Sequence, residues 1–411
     1  MTTADNPFAF DIDALETMDT EAAVDKLLVF SLETNCSDVF LFTESATITL
    51  TVRRHGRMSV LGAVSLEFGR HMIGTIKAAA NMDITEQRRP QDGRWLRRAE
   101  TRHLDVRINS IPTIHGVDLS LRLWDRESGI KPIKELGLSR SDQQILTGLL
   151  SRPSGLMLIT GPTGTGKTTT MYACVQHLVD GARKINTLED PVEYLVPGVR
   201  QSQVLDRLDI TFAILLRNVL RQSPDVIMIG EIRDAETATT AVRAANSGHL
   251  VLASLHAPVA ASAVHSMLAF GANPYFFSSC LLGVVAQRLI RSLCPSCRVQ
   301  YDISEAPQTF RDIADLLEPG QGQTIYGPGR CDTCFGTGYS GRTGLFEIMI
   351  MNRKVREKIS EGRPRTEIES AAREAGMVEF RRAALLKVAQ GITSTEDLLR
   401  EIPAEFLGAE D

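Results

Sequence analysis

The chain has 411 residues, 43% of them hydrophobic and 23% charged, with a formal net charge of −5. Those values exclude a disordered or fibrous chain, suggest two to four domains, and argue against a dedicated nucleic-acid coat or a polybasic membrane anchor. No run approaches 18 consecutive apolar residues, which excludes a spanning helix, and the start Met1-Thr2-Thr3-Ala4-Asp5-Asn6 lacks the basic and apolar regions of a secretory signal.

Residues 1–20 are acidic, weakly patterned and read as a tail. Ala22, Ala23, Leu27, Leu28 and Leu32 then recur at near-helical spacing over 21–34. Alternating runs follow at Asp38–Thr43, Thr47–Arg53, Thr101–Asn109 and Gly116–Trp124, separated by His55-Gly56, Pro112 and Gly116. They read as strands, and 21–125 as a small α+β domain. Residues 126–137 read as a linker, and Ser139–Leu150 as a helix with Ser139 as its cap. Beyond Gly155 the apolar runs Leu156–Thr160, Lys184–Leu188, Val226–Ile229 and Leu250–Ala253 alternate with helical segments. That alternation predicts an α/β domain over 138–411 with a mostly parallel sheet. Residues 290–345 read as loop-rich, and 351–405 as charged and helical.

The run Leu156–Thr160 enters Gly161-Pro162-Thr163-Gly164-Thr165-Gly166-Lys167-Thr168, which fits G-x-x-x-x-G-K-[ST]. Glycines let successive amides turn inward around a phosphate. The following helix, from Lys167 and Thr169 to Val179, presents its positive end to the same oxygens. Lys167 is suited to the β/γ-phosphates and the Thr168 hydroxyl to Mg²⁺. Some 60 residues on, Gly230-Glu231 stands at the carboxyl end of a buried strand, where open α/β sheets bind ligands. Glu231 is therefore the candidate base for an attacking water. Glu189, Asp190 and Glu193 crowd the end of another strand, placed to approach the metal or its water. His249 and His256 bracket a strand, so they stand at its opposite ends and cannot share one metal.

Seven cysteines divide into three isolated ones, Cys36, Cys174 and Cys280, which read as packing residues, and two C-x-x-C pairs. Cys294-Pro-Ser-Cys297 and Cys331-Asp-Thr-Cys334 read as one tetrahedral zinc site, with incidental thiols or a redox pair as the alternatives. The intervening 33 residues must leave and return.

Four segments in order carry a specific resemblance. They are the phosphate loop at 161–168, Thr187-Leu-Glu-Asp-Pro-Val-Glu-Tyr194, Leu220–Asp234 and Gly248–His256. Together they resemble the Walker A, Asp-box, Walker B and His-box segments of the type II secretion and type IV pilus assembly ATPase superfamily, over about residues 21–400. The resemblance implies a RecA-like P-loop NTPase domain preceded by a small α+β domain, with a cysteine zinc insert and C-terminal helices. It implies ATP, Mg²⁺ and Zn²⁺ as cofactors. It also implies a homohexameric cytoplasmic motor, peripheral at the inner membrane under a platform protein, that drives assembly of pilin-like filaments. By position, Glu231, Lys167 and Glu189 become catalytic, with Glu189 and Asp190 serving metal and water. His249 and His256 become switch histidines. Arg107 and Arg122 match arginines that reach across to nucleotide, and Arg217 and Arg221 are further candidates. The tetracysteine insert points to the secretion or pilus-extension branch rather than retraction.

The sequence departs from the family at Ser37–Phe42, which lacks a usual His and Glu, and at Ala257-Pro258 in place of Thr-Asn. The longer first N-terminal domain of many relatives is not seen. The competing reading is a DNA-transfer or nucleic-acid translocase ATPase. Its support is the stretch holding Arg88, Arg89, Arg94, Arg97, Arg98, Arg102 and Arg107 with Trp95, although a solvated face or subunit contact is the commoner explanation. A non-hydrolysing structural ring is opposed by the presence of Lys167 and Glu231.

Overall fold

The computed structural model describes residues 10–99, 102–125 and 129–407. The described chain forms two units: one holds the residues up to Gly129 together with Arg330–Gly338, and the other holds Ile130–Gly329 and the residues from Tyr339 onward.

The first unit begins with helices α1 (Asp13–Glu16) and α2 (Thr20–Glu33). Asp19 caps α2, its carboxylate accepting from the Ala22 amide. Then come β1 (Cys36–Thr43), β2 (Thr47–Arg54), β3 (Arg57–Ser65), α3 (Leu66–Ala79), β4 (Gln91–Ala99), β5 (Arg102–Thr113) and β6 (Gly116–Asp125). The strands make one antiparallel sheet in the order β3-β2-β1-β6-β5-β4. Its core includes Leu27, Val39, Leu50, Met72, Ile76 and Leu121. Phe10 and Leu15 are buried in the same core, so the part of the expected tail that the structure describes is packed. Residues 1–9 of that tail, Thr101, and 126–128 of the expected linker lie outside the described residues. The strand at 57–65, the helix at 66–79 and the strand at 91–99 were not among the sequence expectations. Arg54 is buried here, donating from Nε to Thr34 O (2.7 Å) and from Nη1 to Cys334 O (3.2 Å), with its guanidinium over the Phe335 ring. Those contacts hold the 330–338 segment to this unit.

The second unit runs α4 (Arg140–Leu150), β7 (Gly155–Thr160), α5 (Lys167–Leu178), β8 (Ile185–Glu189), β9 (Arg200–Gln203), α6 (Phe212–Val219), β10 (Val226–Ile229), α7 (Ala235–Asn246), β11 (Leu250–Leu255), α8 (Ala260–Ala269), α9 (Pro274–Cys280) and β12 (Leu281–Leu293). A short hairpin, β13 (Val299–Asp302) with β14 (Thr324–Gly327), precedes β15 (Tyr339–Ile350). Helices α10 (Arg353–Ser360), α11 (Arg365–Glu374), α12 (Phe380–Ala389), α13 (Thr395–Glu401) and α14 (Ala404–Leu407) close it. The main sheet has the order β15-β12-β7-β11-β10-β8-β9, and all its pairings are parallel except β12 with β15. Every residue of β7, β8, β10 and β11 is buried, as strands covered on both faces require. Ser139 caps α4 as expected, accepting from the Asp142 amide.

The segment expected to be loop-rich at 290–345 is instead framed by a long antiparallel pair, Gly283↔Ile350 through Leu293↔Tyr339. Charged residues inside these strands hid them from a hydrophobicity pattern. Two of these side chains find partners far along the chain. Arg291 Nε lies 2.6 Å from Asp397 Oδ1, and the Arg291 amide donates to Asp397 Oδ2 at 2.7 Å. Glu347 accepts the Ala260 amide at 2.9 Å, closing the start of α8, which has no side-chain cap of its own.

Candidate functional site

The apolar strand β7 delivers the glycine loop to the carboxyl edge of the sheet. Thr160 ties its end to the end of β11, donating to Ala257 O (2.8 Å) and accepting from Ala257 N (2.9 Å). Gly161 (φ 150°) and Gly164 (φ 80°) take backbone conformations that L side chains rarely adopt. Gly166 caps α5 with no side-chain acceptor, which leaves first-turn amides of α5 available to an anion. Thr165 is buried and donates to Pro162 O (2.9 Å), half-buried Thr169 lies on the first turn, and the Thr163 and Thr168 side chains are exposed.

Lys167 Nζ donates to Gly161 O (2.7 Å) and Pro162 O (3.0 Å) and stands 3.3 Å from His256 Nδ1. Burial lowers its pKa to about 8, against the opposing pull of Glu231. The ammonium carries donors only, so His256 Nδ1 accepts and the ring proton sits on Nε2. Nε2 is 2.6 Å from Glu231 Oε1. The other Glu231 oxygen takes Arg233 Nε at 2.7 Å, and Arg233 Nη1 reaches Asp190 Oδ2 at 3.2 Å. The turn bearing Glu231 is fixed by Ser254, which donates to Gly230 O (2.6 Å) and accepts the Ile232 amide on its carbonyl (2.9 Å). Lys167, His256, Glu231, Arg233 and Asp190 thus form one chain of contacts at the strand ends.

Other expected site residues stand elsewhere. Glu189 was expected to face metal and water. It is 3% exposed, and both its oxygens are occupied by Thr187, Gln201 and Tyr172. His249 precedes β11, at the end opposite His256 as their spacing requires, with Nδ1 3.0 Å from Ala244 O. Six strand residues separate the two histidines, about 20 Å of rise. Arg217 is exposed and paired with Glu236 on α7. Arg107 and Arg122 face each other in register on β5 and β6 of the first unit, and Arg122 Nε is 3.2 Å from Asp38 Oδ1.

Three residues of this site had no role in the sequence reading. Arg233 lies within Leu220–Asp234, where the motif gives it no role. Tyr172 sits five places beyond Lys167 on α5. Gln287 of β12 is buried and donates from Nε2 to Thr165 O (2.8 Å), latching the loop from a position 122 residues away that no local pattern marks.

The four paired cysteines come together, with Cys294, Cys297, Cys331 and Cys334 offering sulfurs all within 4.8 Å of one another. Cys331 Sγ and Cys334 Sγ are 3.7 Å apart. A tetrahedral zinc with Zn–S bonds of about 2.3 Å needs edges of about 3.8 Å, so the donor set fits that ion. The Gly338 amide donates to Cys334 Sγ at 3.2 Å, an outer contact that favours a thiolate. Of the arginine stretch behind the competing reading, Arg94 and Arg97 are paired with Asp105 and Asp25, and the Arg98 and Arg102 side chains lie outside the described residues.

The family profile described as type II/IV secretion system protein matches residues 14–400. Type II secretion system protein HxcR of Pseudomonas aeruginosa is 39% identical over 94% of this chain and 79% of its own length. Type II secretion system ATPase E of Vibrio cholerae is 38% identical over 92% and 74%. Type IV pilus assembly ATPase PilB of Thermus thermophilus is 36% identical over 89% of this chain and 41% of its own. Among solved structures, the Legionella pneumophila ATPase DotB has TM-score 0.67 at 20% identity, covering 92% of this chain and 94% of that one, so the α/β fold is shared. The pilus retraction motor PilT has TM-score 0.61 at 24% identity, with 92% and 96% covered. The chain belongs to the type II/IV secretion system protein family.

Proposed function

We propose that this chain is an ATP hydrolase acting as a homohexameric motor for pilin-like filament assembly, in type II secretion or type IV pilus biogenesis. The proposal places it in the cytoplasm, held at the inner membrane by a platform protein. Among the described residues, no helix is long and apolar enough to cross a membrane. The observation that carries the reading is the contact chain from the phosphate loop through His256 to Glu231.

In this reading the loop amides of 161–169 grip the ATP phosphates. The Thr168 hydroxyl and Asp190 would hold Mg²⁺, which when bound neutralises phosphate charge. Glu231, aimed by His256 and Arg233, takes a proton from the attacking water. Lys167 spends its donors on two loop carbonyls and His256, so it must exchange these for phosphate oxygens when nucleotide arrives. That exchange frees His256 Nδ1 and alters the contact that aims Glu231, linking site filling to the position of the base. Arg107 and Arg122 of a neighbouring subunit are proposed to complete the charge stabilisation, with Arg217 joining them only on leaving its exposed partner Glu236. The cysteine cluster is proposed as structural zinc, since all four positions are protein thiols and a closed site suits no catalysis.

Hydrolysis by the purified protein with and without single-stranded DNA tests the reading against a nucleic-acid translocase. The expected rate is indifferent to DNA, because Arg94 and Arg97 already serve internal carboxylates. Strong stimulation by DNA would replace the filament motor with the translocase.

A further inference from the structure

Glu189 and Asp190 are consecutive and face opposite ways. Glu189 ends β8 and is buried, while Asp190 is at the surface against Arg233. The buried carboxylate sits in a closed network. Its Oε1 accepts from Thr187 Oγ1 (2.6 Å) and Gln201 Nε2 (3.0 Å), and its Oε2 accepts from Tyr172 Oη. The Tyr172 hydroxyl in turn accepts the amides of Glu193 (3.0 Å) and Tyr194 (3.1 Å). Gln201 accepts the Val196 amide (2.8 Å) and donates to Tyr194 O (2.8 Å). The ring of Tyr194 stands edge-on to that of Tyr172 at 5.3 Å.

We infer that Tyr172 and Glu189 are positioning residues, a buried brace that sets the 190–196 segment and through it Asp190, Arg233 and Glu231. The inference rests on the proposed ATPase reading of the site. Tyr172 lies on α5, the helix whose first turn faces the phosphate loop, so the brace fixes the acidic segment to the phosphate-binding helix. Each acceptor in it is matched by a donor. Removing the tyrosine hydroxyl takes the donor from a buried carboxylate oxygen and the shared acceptor from two amides, and the segment loses that anchor. Both Glu189 oxygens are already engaged by protein donors, and the residue is 3% exposed.

Tyr172→Phe keeps the ring and removes the hydroxyl. Its kcat for MgATP is expected to fall about 10- to 100-fold, the usual effect of losing a residue that orients a ligand-bearing group. A slowly hydrolysed ATP analogue separates positioning from mere structure. Its affinity in EDTA should stay within about 3-fold of wild type, while the gain in affinity on adding Mg²⁺ shrinks. Gln201→Ala, from the rim of the network, should show the same pattern more weakly and serves if Tyr172→Phe melts early. Wild-type kcat and an unchanged Mg²⁺ gain in both variants would overturn the brace. So would a Glu189→Gln protein that loses the Mg²⁺ gain while Tyr172→Phe keeps it, since Glu189 would then act on the metal directly. Glu231→Gln run alongside reports on the ATPase reading itself, because turnover surviving that change refutes the base whatever Tyr172 does.

Discussion

Alanine at two glycines of the phosphate loop should separate a clash from a simple backbone penalty. Both Gly161 and Gly164 have positive φ. A methyl at Gly164 meets nothing within 4 Å. Its cost is the left-handed conformation alone, about 1–2 kcal/mol. That cost applies with and without nucleotide, so it lowers stability and cancels in affinity. A methyl at Gly161 would overlap the carbonyl oxygen of Gln287 and stand 2.7 Å from Thr165 Oγ1. The carbonyl belongs to β12, which is paired with β15 at Gln287 and with β7 up to the adjacent Ala286, so it resists retreat. Overpacking adds about 1–3 kcal/mol to the backbone cost, so the loop must shift instead and lose its Gln287–Thr165 latch. Titration with a fluorescent ATP analogue should show Gly164→Ala within about 3-fold of wild type and Gly161→Ala weakened at least about 10-fold, a change of about 1.4 kcal/mol. Equal weakening in both, or full affinity in Gly161→Ala, would refute the argument from loop packing.

Three further outcomes follow from buried charges and thiols. Burial raises the Glu347 pKa to about 7, so the folded state holds that proton more tightly than the unfolded chain and stability falls as pH rises from about 4.5 through 7. The full effect is roughly 3 kcal/mol, and the melting temperature of Glu347→Gln relative to wild type should rise between pH 5 and pH 8; a pH-independent difference contradicts this. Asp397→Ala strands the buried Arg291 guanidinium, and a loss of about 3–5 kcal/mol should lower the melting temperature by roughly 6–20 °C. Cys331→Ser with Cys334→Ser should remove about one zinc per chain by metal analysis, and a wild type without stoichiometric metal would sink the assignment.

How much was legible varied with the physics of each element. The strands β7, β10 and β11 read directly because uninterrupted apolar runs have few other destinations than a covered parallel sheet. The strands β12 and β15 did not, because Arg291 and Glu347 inside them are compensated by partners 106 residues along the chain at Asp397 and 87 at Ala260. One residue of strand length decided Glu189. The sequence reading ends that strand at Leu188, whereas β8 continues through Glu189 and turns its side chain into the protein. The separation of His249 and His256 was legible from spacing alone, since β11 fills the interval between them. Positions of Lys167, Glu231 and His256 were legible because each sits at a strand end or helix start that the pattern locates. Arg233, Tyr172 and Gln287 act through contacts between elements, and no local spacing marks them.

The most direct test of the account compares wild type with Glu231→Gln for both ATP binding and ATP hydrolysis. Glutamine keeps the size and an acceptor for His256 or Arg233 but takes no proton. The account requires near wild-type affinity for ATP and loss of steady-state turnover. Substantial turnover by Glu231→Gln would contradict it, because proton transfer would then belong to another group.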